Sequence, residues 1–486
     1  MVSLMPPRRL CSLVSLAAFT ILLGILFLGN LHNVGAPIPT QSSVAAAPQA
    51  ASPPKNPIDV EPDPQADEYI PSLPTFFHGS LVETAAPNVK PSVTSKQPPH
   101  AQATGVVNGS ETIRVTVVEG GGSHEEVVAA MVYAFGSQPN VELSVYALRK
   151  RFGLSGLIDS FALSSQQKPE IKSTNDFPRL YNDSTIPHIL VLATCEHDLL
   201  RLEQPIETIL AYNSSTHIFC VVHNGDIWIK DQKLELDTSE WIKQKRITFV
   251  PLSPHTQRYF ESESIKNWKL KNDVVVRHLV PVYPVPREGE LDDRVEDDGL
   301  AVVIQGTYDN KRRDYASAFS HLEELLSSPG LDRSEVSKLS LHVLGSGSAP
   351  LAPETIRDHV IIDSNYKFLD YYPLISHTVA LLPAFATDYY LDRKASSSVP
   401  TSLMAGTPLV ADQRILDAYR YLPKEVVWFQ NANQTDMQVV ESVIQMPAER
   451  REKKMNQVQR RCSEIIEENM ATVSGWLNSA LYRTGS

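Results

Sequence analysis

The chain has 486 residues, which is more than one compact core usually holds, so we expect at least two domains. Hydrophobic residues make up 42% of it and charged residues 21%, values that are ordinary for a globular protein. A formal net charge of -12 argues against a general nucleic-acid binder, which needs a basic face, but it leaves room for a local basic site.

The N-terminus carries a candidate membrane anchor. Arg8 and Arg9 precede an uncharged apolar run over residues 10–31, which as a helix is about one bilayer long. A cleaved signal peptide is the alternative, but its apolar core usually has only ~7–15 residues. The basic pair predicts a cytoplasmic tail over residues 1–9 and a lumenal remainder, which is a single-pass type II topology.

Residues 32–110 are predicted to form a disordered stem, because they hold 14 of the chain's 35 prolines and almost no sustained apolar pattern. A secretory chain can carry N-linked glycans, and the candidate sites are Asn108, Asn182, Asn213 and Asn433. Cys195 and Cys220 end or lie in neighbouring predicted strands, where a disulfide and two buried thiols are both compatible with the pattern.

Two successive runs of alternating strands and helices follow the stem. The first covers residues 111–286 and opens on "TIRVTVVEGGGSHEEVVAAMVYAF", a strand, a glycine-rich turn and a helix. An acidic stretch at 287–299 predicts a linker, a second alternation covers 300–445, and a long helix covers 446–486. Apolar runs of four to seven residues between helices are typical of parallel sheets buried on both faces. We therefore predict an α/β protein with two tandem doubly wound, Rossmann-like domains.

Ligands of open parallel sheets bind beyond the carboxyl ends of the strands, so the loops after strands are candidate sites. In "QGTYDNKRRDY", Gly306 permits close approach, and Lys311, Arg312 and Arg313 lie near the start of the next helix. Three cations near a helix N-terminus suit a pyrophosphate, and an ordinary charged helix face is the alternative interpretation.

A second candidate loop is "SSSVPTSLMAGTPLVAD", residues 396–412. Local rules explain it as a connection, with Ser398 as the helix cap, Pro400 in the first turn and Gly406 as the stop. We expect Ser396, Ser397 and Ser398 in addition to present hydroxyls and free N–H groups to a phosphate or a sugar.

Taken together, "VVIQGTYDNKRRDY", "LSLHVLGSGS", "VALLPAF" and "SSSVPTSLMAGTPLVAD" follow one another as in the C-terminal half of a GT-B glycosyltransferase. Residues 300–480 resemble the group-1/group-4 type, in its fungal secretory, type II membrane branch. "MAGTPLVAD" is similar to the family's Ala-Gly-x-Pro-x-Val segment, which closes the donor pocket. The resemblance implies an acceptor on the first domain, a nucleotide-sugar on the second, and a C-terminal helix that packs back on the head.

The sequence departs from the retaining branch of that family, which has Glu-x7-Glu just before this segment. Arg393 and Thr401 stand at the two positions. An inverting enzyme needs a base for the acceptor hydroxyl, and by resemblance it lies in the loop after the first strand. His124 in "EGGGSHEEVV" is the candidate, since imidazole exchanges protons near neutral pH, and helix capping is its alternative role.

The expected function is therefore a Golgi or ER membrane glycosyltransferase, most simply a hexosyltransferase. It would move sugar from a nucleotide-sugar to a glycan, protein or lipid acceptor, without a metal or other cofactor and without nucleic acid. One alternative is a GT-B-like lumenal binding protein that has lost catalysis, as the missing Glu pair suggests. The other is a metal-dependent GT-A enzyme whose carboxylates are Glu196 and Asp198.

Overall fold

The computed structural model describes residues 112–164, 168–179, 185–286 and 300–482. The predicted anchor at 10–31, the stem at 32–110, the acidic linker at 287–299 and the candidate glycosylation sites Asn108 and Asn182 lie outside these residues. Within the described ranges, no helix is both long enough and apolar enough to cross a membrane.

The first domain is built on seven parallel strands. They are β1 Ile113–Glu119, β2 Val141–Ala147, β3 Ile171–Ser173, β4 Ile189–Leu192, β5 His217–Val222, β6 Ile247–Pro251 and β7 Val275–Val276. Their order is β3-β2-β1-β4-β5-β6-β7, so the winding reverses between β1 and β4. Every residue of β4, β5 and β6 is buried, because helices cover both faces of the sheet.

The helices of this domain lie between the strands. They are α1 Glu125–Gly136, α2 Leu154–Asp159, α3 Cys195–Arg201, α4 Glu203–Tyr212, α5 Gly225–Lys230, α6 Gln232–Lys243 and α7 Pro254–Tyr259. α7 begins with a capping box formed by Ser253 and Thr256, and Pro254 occupies its first turn. A disulfide joins Cys195 at the start of α3 to Cys220 in β5, which decides between the two states that the sequence left open.

The second domain contains six parallel strands. They are β8 Leu300–Tyr308, β9 Leu339–Gly347, β10 Val360–Ser364, β11 Ala380–Leu382, β12 Leu409–Ala411 and β13 Val427–Phe429. Their order is β10-β9-β8-β11-β12-β13, with the reversal between β8 and β11. This is the strand order of a dinucleotide-binding fold. The prediction of two tandem doubly wound domains is confirmed by these strand orders.

The helices of the second domain end in one long segment. They are α8 Tyr315–Leu326, α9 Arg333–Val336, α10 Phe368–Ser376, α11 Tyr389–Asp392, α12 Ser398–Ala405, α13 Gln413–Ala418, α14 Asp436–Ile444 and α15 Ala448–Tyr482. α15 returns to the first domain, where Asn469 Nδ2 donates to the Val280 carbonyl at 2.7 Å. The Trp476 ring stacks on Phe219 of β5 with 5.2 Å between centroids.

The two domains share one continuous hydrophobic core and several polar contacts. Residues of both sheets belong to the same buried cluster. The hydroxyls of Tyr283 and Tyr372, both buried, are 2.7 Å apart across the interface. At the edge that faces the strand ends, the Phe368 N–H donates to the Phe152 carbonyl at 2.8 Å. The domains are therefore docked, with the carboxyl ends of their strands facing one cleft.

Candidate functional site

The cleft lies at the carboxyl ends of β8, β9 and β10, next to the point where the winding of the second sheet reverses. The second domain contributes the ends of these strands and the first turns of α10 and α12. The first domain contributes the segment 123–126 and the pair Arg151 and Phe152. This is the position at which open α/β sheets bind their ligands.

Arg313 is the most unusual charge in the cleft. It is only 3% exposed, and its Nε donates to the Gln305 carbonyl at 3.0 Å while Nη2 donates to Ser398 Oγ at 2.9 Å. The rings of Phe385 and Tyr390 cover it at 5.5 and 5.4 Å. Burial lowers the pKa of its guanidinium, and no carboxylate among the described residues pairs with it. A buried cation without an anion is costly, so a site for an anionic ligand beside Arg313 is expected.

Gly306, at the end of β8, makes the position of Arg313 possible. Its φ of 135° is rarely adopted by residues with a side chain, and a Cβ there would lie 2.9 Å from Arg313 Nη2. The group that approaches Gly306 closely is therefore the guanidinium of Arg313. The glycine lines the cleft beside it.

The three predicted cations are not equivalent. Arg312 lines the cleft, and its Nε donates to the Tyr390 hydroxyl at 2.5 Å. Lys311 is exposed and is not among the residues that line the cleft. The structure thus brings two of the three cations to the site.

The predicted roles of the serines need correction. α12 begins at Ser398, one residue earlier than a Ser398 cap requires, and Ser397 at the N-cap position makes no side-chain cap bond. Ser398 Oγ is instead buried and accepts from Gln305 Nε2 at 3.1 Å and from Arg313. The helix ends at Gly406 with φ 79°, as predicted.

The expectation of free N–H groups at the start of α12 does not hold for Ser398 and Val399. Ser396 is buried, and its Oγ accepts from the Ser398 N–H at 3.3 Å. Val399 donates to the Ser396 carbonyl, and Pro400 has no N–H. Of the three serines only Ser397 lines the cleft, so its hydroxyl is the one that a ligand can reach.

The glycine-rich turn of the first domain is held by two buried carboxylates. Glu119 Oε1 accepts from the N–H groups of Gly122 and Ser123, and Asp198 Oδ1 accepts from the Gly120 N–H at 2.5 Å. Burial raises the pKa of both carboxyls, that of Asp198 to about 7, with repulsion from Glu119 as a further cause.

The backbone donors of this turn are therefore already used. The remaining N–H, that of Gly121, donates to Thr194 Oγ1 at 3.1 Å. A phosphate bound here would have to displace two carboxylates of the chain, so the turn is not available as an anion site.

The turn presents His124 to the cleft. His124 adopts a left-handed conformation with φ 66°, and its side chain makes no cap bond to α1. Its carbonyl accepts from Val127 and Val128. The ring lines the cleft at 13% exposure, with Nδ1 3.8 Å from Glu126 Oε1. The side chain is thus placed for proton exchange with a molecule in the cleft.

Sequence reasoning missed the contribution of Arg151. Its Nε donates to Glu125 Oε1 at 2.6 Å and its Nη2 to the Gly122 carbonyl at 2.9 Å, so it braces the loop that carries His124. The signal was present, because "LRKRFG" directly follows β2 and the rule of strand ends applies there as well.

Asp363, at the end of β10, is a second missed residue. It lines the cleft, and its Oδ2 lies 2.8 Å from Nδ1 of the buried His342. Only the sheet pairing of β9 and β10 brings these two side chains together.

The metal-dependent alternative is not favoured by the contacts of its two carboxylates. Glu196 Oε1 accepts from the N–H groups of His223 and Asn224, both at 2.9 Å, and from Trp228 Nε1 at 3.0 Å. Asp198 faces a different loop, as described above. In the described part of the chain no three His, Cys, Asp or Glu side chains are grouped as metal ligands.

The structure also locates Arg393 and Thr401, which stand where the retaining branch has its two Glu residues. Thr401 is buried and lines the cleft, whereas Arg393 pairs with Asp392 at 3.1 Å and is not among the residues that line it. No carboxylate stands at the ribose-binding position that the resemblance implies.

Two candidate glycosylation sites lie in the described residues. Asn433 is exposed in the loop between β13 and α14. Asn213 follows α4 and is half-buried, and its Oδ1 accepts from the N–H and hydroxyl of Ser215 at 3.0 and 2.7 Å. Asn433 is thus the more accessible of the two.

Comparison with known proteins gives structural likeness only. No protein-family model matches the chain, and no curated protein matches it. A sucrose-phosphate synthase from Thermosynechococcus elongatus is similar at 11% identity and TM-score 0.44, over 76% of this chain and 100% of that one. The trehalose-6-phosphate synthase OtsA is similar at 12% identity and TM-score 0.44, over 76% and 99%.

A chain from Listeria monocytogenes assigned as a UDP-N-acetylglucosamine 2-epimerase is similar at 12% identity and TM-score 0.41, over 72% of this chain and 91% of that one. At such identities and scores, the fold class rests on the two strand orders, and the chemistry of the site has to be argued from its own residues.

Proposed function

We propose that this chain is a glycosyltransferase that takes its sugar from a nucleotide-sugar donor. One observation carries the proposal. The second domain places the buried Arg313, which has no carboxylate partner among the described residues, on one side of the cleft, and the first domain places the ring of His124 on the other. A cation for a diphosphate leaving group and a base for an acceptor hydroxyl are the two groups that such a transfer needs.

The donor is proposed to lie mainly on the second domain. Arg313 and Arg312 would offset the charge that develops on the diphosphate, with the hydroxyl of Ser397 as a further donor. In a water-poor cleft, fixed cations stabilise such a charge strongly. These residues supply the stabilisation without a metal, which is the basis for proposing a metal-independent reaction.

The acceptor is proposed to lie against the first domain, where His124 would take the proton from its hydroxyl. The glycine-rich turn supports this division, because Glu119 and Asp198 exclude a phosphate from it. A glycan, a protein or a lipid can each present the required hydroxyl.

The head is proposed to face the lumen of the Golgi or the ER, as a type II membrane protein. The disulfide between Cys195 and Cys220 supports this proposal, because disulfides persist in oxidising compartments. The exposed Asn433 is compatible with it.

The test is a thermal-shift screen of the purified full chain with UDP, GDP and their sugar conjugates, followed by assays of transfer and sugar hydrolysis. A diphosphate present at ~100 times its dissociation constant should stabilise the chain by ~2.7 kcal/mol. Arg313→Ala should remove most of this stabilisation, while Lys311→Ala, at an exposed neighbour, should retain it.

The possible results separate the proposals. Stabilisation by a nucleotide-sugar without transfer or hydrolysis would favour the catalytically inactive binding protein. The absence of stabilisation by any diphosphate would contradict the donor site itself.

A further inference from the structure

A second histidine packs against His124. The ring of His223 lies 3.8 Å from that of His124, centroid to centroid, at an angle of 45°. His223 directly follows β5, and His124 follows the turn after β1. β4 lies between these strands, so the pair sits at the carboxyl ends of the strands where the winding of the first sheet reverses.

The orientation of His223 is set by the backbone. Its Nε2 lies 2.7 Å from the carbonyl of Ala193, the first residue after β4. A carbonyl can only accept, so Nε2 carries the hydrogen. The His223 N–H donates to Glu196 Oε1 at 2.9 Å, which fixes the residue at its other end. The ring is thus anchored at Nε2 and the backbone at its N–H, and His124 packs against the ring.

Two imidazoles at this distance do not titrate independently. A proton on one ring opposes a second proton on the other, because like charges this close repel. Nearby carboxylates favour the first proton, and they come from β1, α1 and α3: Glu119, Glu126, Glu196 and Asp198. Such a site takes up its protons in two separate steps that belong to the pair.

We propose that His223 is a positioning residue for His124, which it holds toward the cleft, and that near neutral pH the two rings share at most one proton. The inference rests on the proposed function in that His124 is taken as the base. A neutral neighbour allows His124 to accept the acceptor's proton, whereas a charged neighbour opposes that step. His223 thereby sets the pH below which the base stops working.

The test is a histidine-selective NMR titration of the full chain between pH 5 and 9, without any ligand. Wild type should show two coupled titrations for the pair, separated by more than about 1 pH unit. His223→Phe keeps an aromatic surface but removes the second charge. It should leave a single titration of His124, with its midpoint raised by about half a pH unit or more. The reciprocal variant His124→Phe should have the same effect on His223.

His377→Phe is the matched control, because His377 is exposed in the second domain and does not line the cleft. It should leave both titrations of the pair unchanged. Independent titrations in wild type, or a His124 midpoint unchanged in His223→Phe, would overturn the inference. These readouts need no turnover. A failure of the proposed function would appear separately, as wild type that shows neither stabilisation by a diphosphate nor transfer.

Discussion

The first turns of the two domains occupy equivalent places and differ in charge. In the first domain, the turn after β1 is filled by the carboxylates of Glu119 and Asp198. In the second domain, the segment after β8 packs Gly306 against the buried guanidinium of Arg313. One Rossmann-like domain thus supplies carboxylates to its own turn, and the other has a buried cation with no carboxylate partner in the described part of the chain.

This difference indicates that the two domains have different roles in the cleft. A turn whose N–H groups are satisfied internally is rigid and positions a side chain, here His124. A turn with an unpaired buried cation remains costly until a ligand supplies the anion. We therefore expect substitutions in the second domain to affect binding and those in the first domain to affect turnover.

Arg313→Ala should produce the largest effect. It removes a buried cation that no carboxylate of the described residues pairs with, and loss of a buried charge partner typically costs about 2–5 kcal/mol of binding. The affinity for UDP or GDP, whichever binds wild type, should fall at least about 30-fold by isothermal titration calorimetry. Lys311→Ala should change it less than about threefold, since that side chain is exposed. Equal losses of affinity in the two variants would show that Arg313 has no special role in binding the diphosphate.

The free energy of unfolding should depend on pH through His255, which lies at the interface between the domains. Its Nε2 bonds the Lys394 carbonyl across the interface at 3.0 Å, and burial lowers its pKa from 6.5 to about 4. The pKa of His255 is lower in the folded chain than in the unfolded chain. The stabilisation that the neutral ring provides above pH 6.5 is therefore lost as the pH falls toward 4. The loss amounts to about 3 kcal/mol.

His255→Gln should therefore lose less stability than wild type between pH 7.5 and pH 4.5, as measured by urea denaturation. The raised pKa of Asp198 acts in the opposite direction, so the quantity to compare is the difference between variant and wild type. A difference that does not change with pH would show that His255 is not held neutral in the interface.

Glu119→Ala should cost about 2 kcal/mol of stability, because it leaves two N–H donors of the turn without their carboxylate. Turnover should fall with little change in donor affinity, since the turn carries His124. Glu119→Gln retains a carbonyl oxygen as acceptor, so it should keep most of the stability and most of the turnover of wild type. A fall in donor affinity as large as that in turnover would mean that the first domain also binds the anion.

Gly306→Ala should have the smallest effect of the four. The added Cβ meets Arg313 Nη2 at 2.9 Å and forces an unfavourable φ, which together cost about 1–2 kcal/mol. The diphosphate affinity should fall about tenfold as the guanidinium shifts, measured by the same calorimetry. Gly475→Ala in α15, where a Cβ meets nothing within 4 Å, is the control and should leave it unchanged.

Much of the fold and part of the site were predictable from local pattern. Apolar runs spaced by helices predict parallel sheets, because strands buried on both faces must be apolar throughout. The rule of strand ends selects Gly306, Arg312 and Arg313, since parallel strands present their carboxyl ends at one edge. His124 is found in the same way, from the loop after the first strand.

Other features depend on contacts between residues far apart in the chain, which no local pattern encodes. Local capping rules place Ser398 as a cap, but the bonds from Gln305 and Arg313 draw it into the protein interior. The disulfide, the pair of Asp363 and His342, and the packing of His223 on His124 each require neighbouring strands to align. The sequence determined which side chains stand at the strand ends. Only the tertiary structure decided which charges are already paired and which remain for a ligand, because pairing depends on what the fold brings within a few ångströms.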